Sequence, residues 1–214
     1  MEQQNLLKTG TTTVGILCKD AVVLAADMRA TAGNFIANRD VDKVVAVNNR
    51  MAVTTAGTVS DIQLLVKLLR SEIKIKELRT NRNITVKEAA SLLGSFNYGN
   101  IRKYSTIPGV AHFIFAGVDN KGASLYDVFV DGSVFEVKNP GFVATGSGSS
   151  YAYGLLEDNY KENIESKDAV ELAIRAIKVA LKRDSASGNG INVFVIDKNG
   201  ARKVSTKVAS EKLE

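Results

Sequence analysis

Ala21-Val22-Val23-Leu24-Ala25-Ala26 is apolar at every position, and Ile191-Asn192-Val193-Phe194-Val195-Ile196 is apolar at nearly every position. A strand with one face in water alternates apolar and polar residues, so these two strands are expected to be buried on both faces. The other predicted strands form antiparallel groups, and the predicted helices come in pairs. We therefore predict an α+β chain folded as a four-layer α/β/β/α sandwich, with two antiparallel sheets packed face to face between helices. An ordinary α+β fold would leave a similar pattern.

Hydrophobic periodicity and turn residues predict the individual elements. The predicted strands are Thr12–Leu17, Ala21–Ala26, Lys43–Val47, Met51–Ala56, Ala111–Val118, Ser124–Val130, Ser133–Val137, Ile191–Ile196 and Arg202–Ser205. The predicted helices cover Val59–Leu78, Thr85 to about Lys103, Ser150–Glu157 and a longer segment that starts near Ser166. Thr85 and Glu88 have the spacing of a capping box.

The composition indicates one globular domain. The chain has 214 residues, of which 45% are hydrophobic, enough for a substantial core and short for two domains. Its single cysteine, Cys18, excludes an intramolecular disulfide and is compatible with a reducing compartment. A secretory signal and a long apolar run are both missing, so we expect a soluble, cytoplasmic protein without membrane contact. The basic stretches at residues 74–82 and 178–183 fall in predicted helices or at their ends, which favours solvated faces over nucleic-acid binding.

The stretch Thr9-Gly10-Thr11-Thr12-Thr13-Val14-Gly15 can be interpreted as an ordinary structural segment or as part of a catalytic site. Threonine suits strands, so a loop followed by a strand would explain it. A threonine hydroxyl is a poor nucleophile and needs a neighbouring base. If the chain is cut before Thr11, the new α-amine can be that base, because its reference pKa of about 7.7–8.0 lies close to working pH. Gly10 has no side chain to keep the hydroxyl from the preceding carbonyl.

Several segments together resemble the catalytic β subunits of proteasomes, archaeal in style. The resemblance runs from about Thr9 to the last hairpin, with order and approximate spacing kept. It rests on Gly10-Thr11-Thr12-Thr13-Val14-Gly15, Ala25-Ala26-Asp27-Met28-Arg29-Ala30-Thr31, Ala56-Gly57, Thr145-Gly146-Ser147-Gly148-Ser149 and Arg183-Asp184-Ser185-Ala186-Ser187-Gly188. It implies the N-terminal nucleophile hydrolase fold, a propeptide over residues 1–10 that is removed by autocleavage between Gly10 and Thr11, and a catalytic domain over residues 11–214.

The resemblance also implies the site. Thr11 matches the nucleophile, Lys43 the lysine that lowers the pKa of the amine, and Asp27 the carboxylate that pairs with this lysine. Gly57 matches the residue whose backbone N–H faces the carbonyl oxygen under attack, a contact commonly worth about 2.7–4 kcal/mol. The residues that match the polar set around the amine are Ser147, Asp184 and Ser187.

The first substrate pocket of the family maps onto small or apolar residues. They are Ala30, Val41, Val45, Thr55 and Val59. Because no Asp or Glu stands among them, we predict cleavage after hydrophobic residues. Thr31, Gly57 and Val59 are expected to pair with an extended peptide through their main chains.

Other chemistries fit the sequence less well. Cys18 lacks a plausible partner, because the only histidine, His112, falls in an apolar strand and is predicted to be a core residue. A Ser-His-Asp triad would need the same histidine. No metal-ligand spacing and no phosphate loop occurs, so we expect neither a metal nor a cofactor.

Two alternatives to an active peptidase are considered. A structural β-ring subunit would keep its leader and only support assembly, but inactive relatives typically lose the threonine or the lysine, and both are present here. A subunit of the simpler bacterial two-ring protease is disfavoured by the length of the chain and by the segments at residues 146–149 and 183–188.

The resemblance also implies partners for the chain. They are proteasome α subunits and other β subunits in stacked heptameric rings, an ATP-dependent regulatory unfoldase and unfolded polypeptide substrates. The wide apolar face of the predicted helix Val59–Leu78 suggests a subunit contact.

Overall fold

The computed structural model describes residues 10–208. The predicted leader lies outside these residues except for Gly10. The strands are β1 (Thr13–Leu17), β2 (Val22–Asp27), β3 (Ala30–Ala32), β4 (Phe35–Asn38), β5 (Val44–Asn48), β6 (Met51–Gly57), β7 (Ala111–Asp119), β8 (Gly122–Val128), β9 (Val134–Glu136), β10 (Phe142–Thr145), β11 (Gly190–Asp197) and β12 (Gly200–Val208). The helices are α1 (Val59–Thr80), α2 (Val86–Arg102), α3 (Ser149–Asn159) and α4 (Ser166–Leu181).

Two antiparallel sheets of five strands each form the centre of the molecule. The first sheet has the strand order β10-β1-β2-β11-β12, and the second has the order β5-β6-β7-β8-β9. Helices α3 and α4 pack on the outer face of the first sheet, and α1 and α2 pack on the outer face of the second. The predicted four-layer sandwich is therefore confirmed.

Alternate residues of β2 supply two different cores. Val23 and Ala25 belong to the core beneath α3 and α4. Val22, Leu24 and Ala26 point the other way, into the core between the two sheets. Successive side chains of a strand point to opposite faces, so a strand with a core on each side must be apolar at every position. The uninterrupted apolar run in the sequence has this cause.

Helix α2 begins as its sequence predicts. The hydroxyl of Thr85 accepts from the backbone N–H of Glu88, and the carboxylate of Glu88 accepts from the backbone N–H of Thr85. This capping box satisfies two N–H groups that have no partner within the helix.

Helix α1 is less completely covered than its neighbours. Leu65, Leu69 and Ile73 are buried against the second sheet, but Leu64 and Leu78 are 52% and 70% exposed. The stripe that looked wide in the sequence is therefore partly in solvent in the single chain. Within residues 10–208, none of the helices combines the length and the apolar character needed to span a bilayer.

Three strands were missed by sequence reasoning. The β3–β4 hairpin is short, and its residues are mostly exposed, Phe35 at 71%, so it lacks the apolar run that marks a strand. Strand β10 has four residues and directly precedes a glycine-containing loop, but it is fully buried, because Phe142 and Ala144 lie in the core beneath α3 and α4 and Val143 lies between the sheets. Predicted boundaries elsewhere differ from the observed ones by a few residues, as at β9 and β12.

Candidate active site

The start of β1 meets the end of β2. Thr13 pairs with Ala26 in the antiparallel ladder, which brings the residues before Thr13 beside Asp27. The backbone N–H of Asp27 donates to the carbonyl of Thr12 (3.1 Å), and the N–H of Thr12 donates to Oδ1 of Asp27 (3.0 Å). Thr11 is thereby held next to a carboxylate distant in sequence.

Lys43 and Asp27 form a buried ion pair between the two sheets. Lys43 directly precedes β5, and its Nζ lies 2.7 Å from Oδ1 of Asp27, with side chains 6% and 0% exposed. Oδ2 of Asp27 accepts from the backbone N–H groups of Arg29 and Gly188, each at 3.0 Å. A buried carboxylate is tolerated when its partners satisfy it in this way.

Burial lowers the pKa of the Lys43 ammonium below its ordinary value, and the negative charge of Asp27 opposes this change only in part. Lys43 therefore gives up a proton more readily than a lysine in water. Its position is also fixed, because the N–H of Thr55 donates to the carbonyl of Lys43 at 2.9 Å.

The carbonyl of Gly10 receives two donors. The hydroxyl of Thr11 donates to this oxygen at 2.6 Å, and Nζ of Lys43 donates to it at 3.3 Å. Thr11 is only 5% exposed. The hydroxyl, the lysine and the carbonyl before Thr11 thus form one compact group, in which the carbonyl is polarised beside the hydroxyl.

Gly10 sits where no side chain fits. A Cβ added to it would lie 1.7 Å from Cβ of Ala186, far inside contact distance. A Cβ added to Gly146 would likewise lie 2.1 Å from the carbonyl oxygen of Thr11. The loops that contain Gly146 and Ala186 therefore pack against Gly10 and Thr11 so closely that only glycine fits at positions 10 and 146.

Asp184 orients two serine hydroxyls. Oγ of Ser147 and Oγ of Ser187 both donate to Oδ2 of Asp184 at 2.6 Å. Each hydroxyl has a single proton, so Ser187 then accepts from the hydroxyl of Thr12 (2.8 Å) and Ser147 accepts from the N–H of Thr11 (3.2 Å). The carbonyl of Thr11, at 3.3 Å, is a second and more distant acceptor for the Ser147 proton. Asp184 consequently makes Ser147 an acceptor toward the Thr11 nitrogen.

Gly57 ends β6 with φ +128°, a conformation open to glycine. A Cβ at this position would lie 2.2 Å from the carbonyl oxygen of Val110. Gly57 and Thr11 both line a cavity of about 300 Å³.

We call this space the apolar cavity. All six of the sequence-predicted pocket residues line it: Ala30, Thr31, Val41, Val45, Thr55 and Val59. Lys67 and Arg70 of α1 also line it, and sequence reasoning missed both. Val59, the pocket residue predicted on the same helix, lies 8 and 11 residues before them, and this helical spacing is the signal that could have found them. Among the described lining residues Asp42 is the sole carboxylate, and it pairs with Lys203 at 3.0 Å.

Cys18, the other candidate nucleophile, lies away from this site. Cys18 is buried in the core beneath α3 and α4, and burial, followed by the charge of Asp20, raises the pKa of its thiol to about 12. The prediction that His112 is a core residue is wrong: its side chain is 22% exposed, and it contacts Asp127. The reason is that the start of β7 lies at the border of the core beside Gly57, where a cavity opens.

The described part of the chain contains no cluster of three or more His, Cys, Asp or Glu side chains suited to a metal ion.

Comparisons with known proteins agree with this geometry. The family model described as "Proteasome subunit" matches residues 7–196. A protein named proteasome subunit beta from Archaeoglobus profundus is 46% identical, covering 93% of this chain and 90% of its own length. The protein of that name from Ferroglobus placidus is 48% identical over 87% of this chain and 86% of its own length. The one from Methanohalophilus mahii is 42% identical over 100% and 99%. By its fold and by these matches, the chain belongs to the proteasome subunit family.

Proposed function

We propose that this chain is the proteolytic β subunit of a 20S proteasome core and acts as a threonine endopeptidase with Thr11 as nucleophile. The observation that carries the proposal is the meeting of the Thr11 hydroxyl and the Lys43 ammonium on the carbonyl oxygen of Gly10, at 2.6 and 3.3 Å. Residues 1–10 would be a propeptide, and residues 11–214 the catalytic domain.

The first reaction is removal of the leader by the chain itself. Oγ1 of Thr11 attacks the carbonyl carbon of Gly10, the C–N bond breaks, and the hydroxyl proton ends on the Thr11 nitrogen. The product is an ester between Gly10 and Thr11 with a free amine. Water then hydrolyses this ester, which releases the leader with a carboxyl group on Gly10 and restores the hydroxyl.

The same group then cleaves substrates. The α-amine of Thr11 accepts the hydroxyl proton as Oγ1 attacks a peptide carbonyl, and it returns the proton to the departing nitrogen. Lys43 keeps the pKa of the amine low by its charge, and Ser147, oriented by Asp184, directs the amine. Ser187 fixes Thr12 in the same network. The backbone N–H of Gly57 stabilises the negative oxygen of the intermediate.

The apolar cavity favours hydrophobic side chains before the cut. Its walls at Val41, Val45 and Val59 offer apolar surface, while Lys67 and Arg70 add positive charge at its edge. A basic side chain would meet these charges without a free carboxylate to pair with, so the expected preference is apolar over basic.

The chain is proposed to work in an assembly. The exposed apolar residues of α1, among them Leu64 and Leu78, would be covered by a neighbouring subunit. The partners are α subunits and other β subunits in stacked heptameric rings, and an ATP-dependent unfoldase supplies unfolded polypeptides in the cytoplasm.

Replacing the nucleophile tests the proposal directly. Thr11→Ala, co-expressed with α subunits, should leave assembly intact but lower peptide hydrolysis by at least about 10³-fold and leave the leader attached. Thr80→Ala, which removes an exposed hydroxyl at the end of α1, is the matched control and should keep full activity. Hydrolysis that persists in Thr11→Ala would show that the nucleophile is another residue.

Lys43 should matter for both stability and chemistry. Lys43→Ala leaves the Asp27 carboxylate buried without its counter-ion, which should cost about 3–5 kcal/mol of unfolding free energy and abolish hydrolysis. The double variant Lys43→Met with Asp27→Asn removes both buried charges. Its melting temperature should be higher than that of Lys43→Met alone, while its peptide hydrolysis should stay as low. Calorimetry and peptide assays separate the two effects; an active double variant would exclude a chemical role for Lys43.

Gly10 should control maturation and not the mature enzyme. Gly10→Val should slow leader removal, because its side chain collides with Ala186. In the milder variant Gly10→Ala, a second change, Ala186→Gly, removes the nearest atom and should restore part of the rate. A time course of precursor and processed chain on a gel measures this. A chain expressed to start at Thr11 should be fully active, and unchanged processing of Gly10→Val would contradict the proposed seating of Gly10.

The charges beside the apolar cavity should set the selection against basic residues. Lys67→Glu combined with Arg70→Glu should raise the ratio of kcat/KM for cleavage after Arg to that after Leu by at least about threefold. Lys74→Glu, a charge change on the same helix away from the cavity, should leave the ratio unchanged. Equal ratios in all three proteins would exclude these residues from specificity.

A further inference from the structure

A second cavity opens on the other side of Thr11. It has a volume of about 550 Å³, and Thr11, Gly57, His112, Val130, Ser147 and Ala186 are among its lining residues. We call it the leaving-side cavity. Lys, Arg, Asp and Glu are absent from its lining in the part of the chain that the structure describes, so His112 is the titratable side chain that faces it.

The two cavities can be assigned to the two halves of a bound peptide. Thr11 and Gly57 border both, whereas Lys43 lines the apolar cavity and Ser147 lines the other. Ser147 accepts from the Thr11 nitrogen at 3.2 Å, and this nitrogen, in the proposed function, gives its proton to the departing amine. The departing segment therefore begins on the Ser147 side. The half that stays on the enzyme as an ester extends toward the apolar cavity.

His112 is held in a fixed orientation within this second space. Its Nε2 lies 2.6 Å from Oδ1 of Asp127, and its ring packs on Phe129 with centroids 4.9 Å apart. Asp127 is almost buried, at 8% exposure, and it lies on the neighbouring strand β8. Since the carboxylate engages Nε2, Nδ1 is the ring nitrogen left to bind a ligand. The described residues provide no hydrogen-bond partner for Nδ1.

From this arrangement we infer that His112, oriented by Asp127, binds the segment of the substrate that departs after the cut. The inference rests on the proposed function. Its chemistry is a hydrogen bond between the imidazole and a polar group of the departing peptide, one or two residues beyond the scissile bond. His112 is then a specificity-determining residue and does not touch the reacting atoms. Asp127 is a positioning residue that acts through it.

Two substrates that share the same residues before the cut test this assignment. One ends in a fluorogenic aminocoumarin, which provides a leaving group without further residues, and the other is an internally quenched peptide that continues for four residues with polar side chains. In the assembled particle, His112→Ala should lower kcat/KM for the continuing peptide by about threefold to tenfold, the loss of one hydrogen bond. Cleavage of the coumarin substrate should stay within experimental error. His112→Gln, which keeps a hydrogen-bonding side chain, should recover part of the loss.

Asp127→Asn tests the orienting role, with Asp131→Asn as the matched control in an exposed turn of the same region. Asp127→Asn should selectively lower kcat/KM for the continuing peptide, and Asp131→Asn should leave kcat/KM unchanged for both substrates.

Equal losses of kcat/KM on both substrates in His112→Ala, or a loss on neither, would overturn the inference while leaving the proposed function in place. A wild-type particle that cleaves neither substrate would instead overturn the proposed function. Cleavage sites mapped in an unfolded protein should also change at the positions after the cut.

Discussion

The ion pair between Lys43 and Asp27 is the interaction on which the site depends. Asp27 ends the central strand of the first sheet and Lys43 precedes an edge strand of the second, so the pair links the two sheets. Neither charge is stable there alone, because burial without a partner is costly. The backbone donors around Asp27 complete its coordination and bind the start of β1 to the same carboxylate. The position of Thr11 follows from this arrangement, whereas the lowered pKa of Lys43 comes from its burial, which the charge of Asp27 offsets only in part.

Close backbone packing is the second requirement. Gly10 and Gly146 lie so near to Ala186 and Thr11 that a methyl group at either glycine would collide with its neighbour. Gly57 needs a positive φ to pass the carbonyl of Val110. These contacts leave little freedom to the segment around Thr11, which places a hydroxyl beside a carbonyl at the expense of chain entropy. Cavities open on both sides of this rigid segment.

Sequence reasoning recovered the layers because β2 and β11 contribute side chains to a core on each face, and their long apolar runs show this directly. It missed the β3–β4 hairpin, whose residues are mostly exposed, and β10, which is only four residues long. In the site, the matched segments identified Thr11, Lys43 and Asp27, which the fold brings into contact. Lys67, Arg70 and His112 were overlooked or misjudged, because which side of a helix or strand faces a cavity is decided by tertiary packing. His112 looked like a core residue since its neighbours in β7 are apolar.

The central claim is that the chain becomes a catalyst when Thr11 acquires a free amine. Intact mass of the wild-type chain, isolated from particles assembled with α subunits and compared with the chain before assembly, tests this most directly. The account predicts that the assembled form has lost residues 1–10 and begins at Thr11, and that peptide hydrolysis rises in proportion to the processed fraction. Fully assembled particles that hydrolyse peptides while the leader remains attached would contradict it.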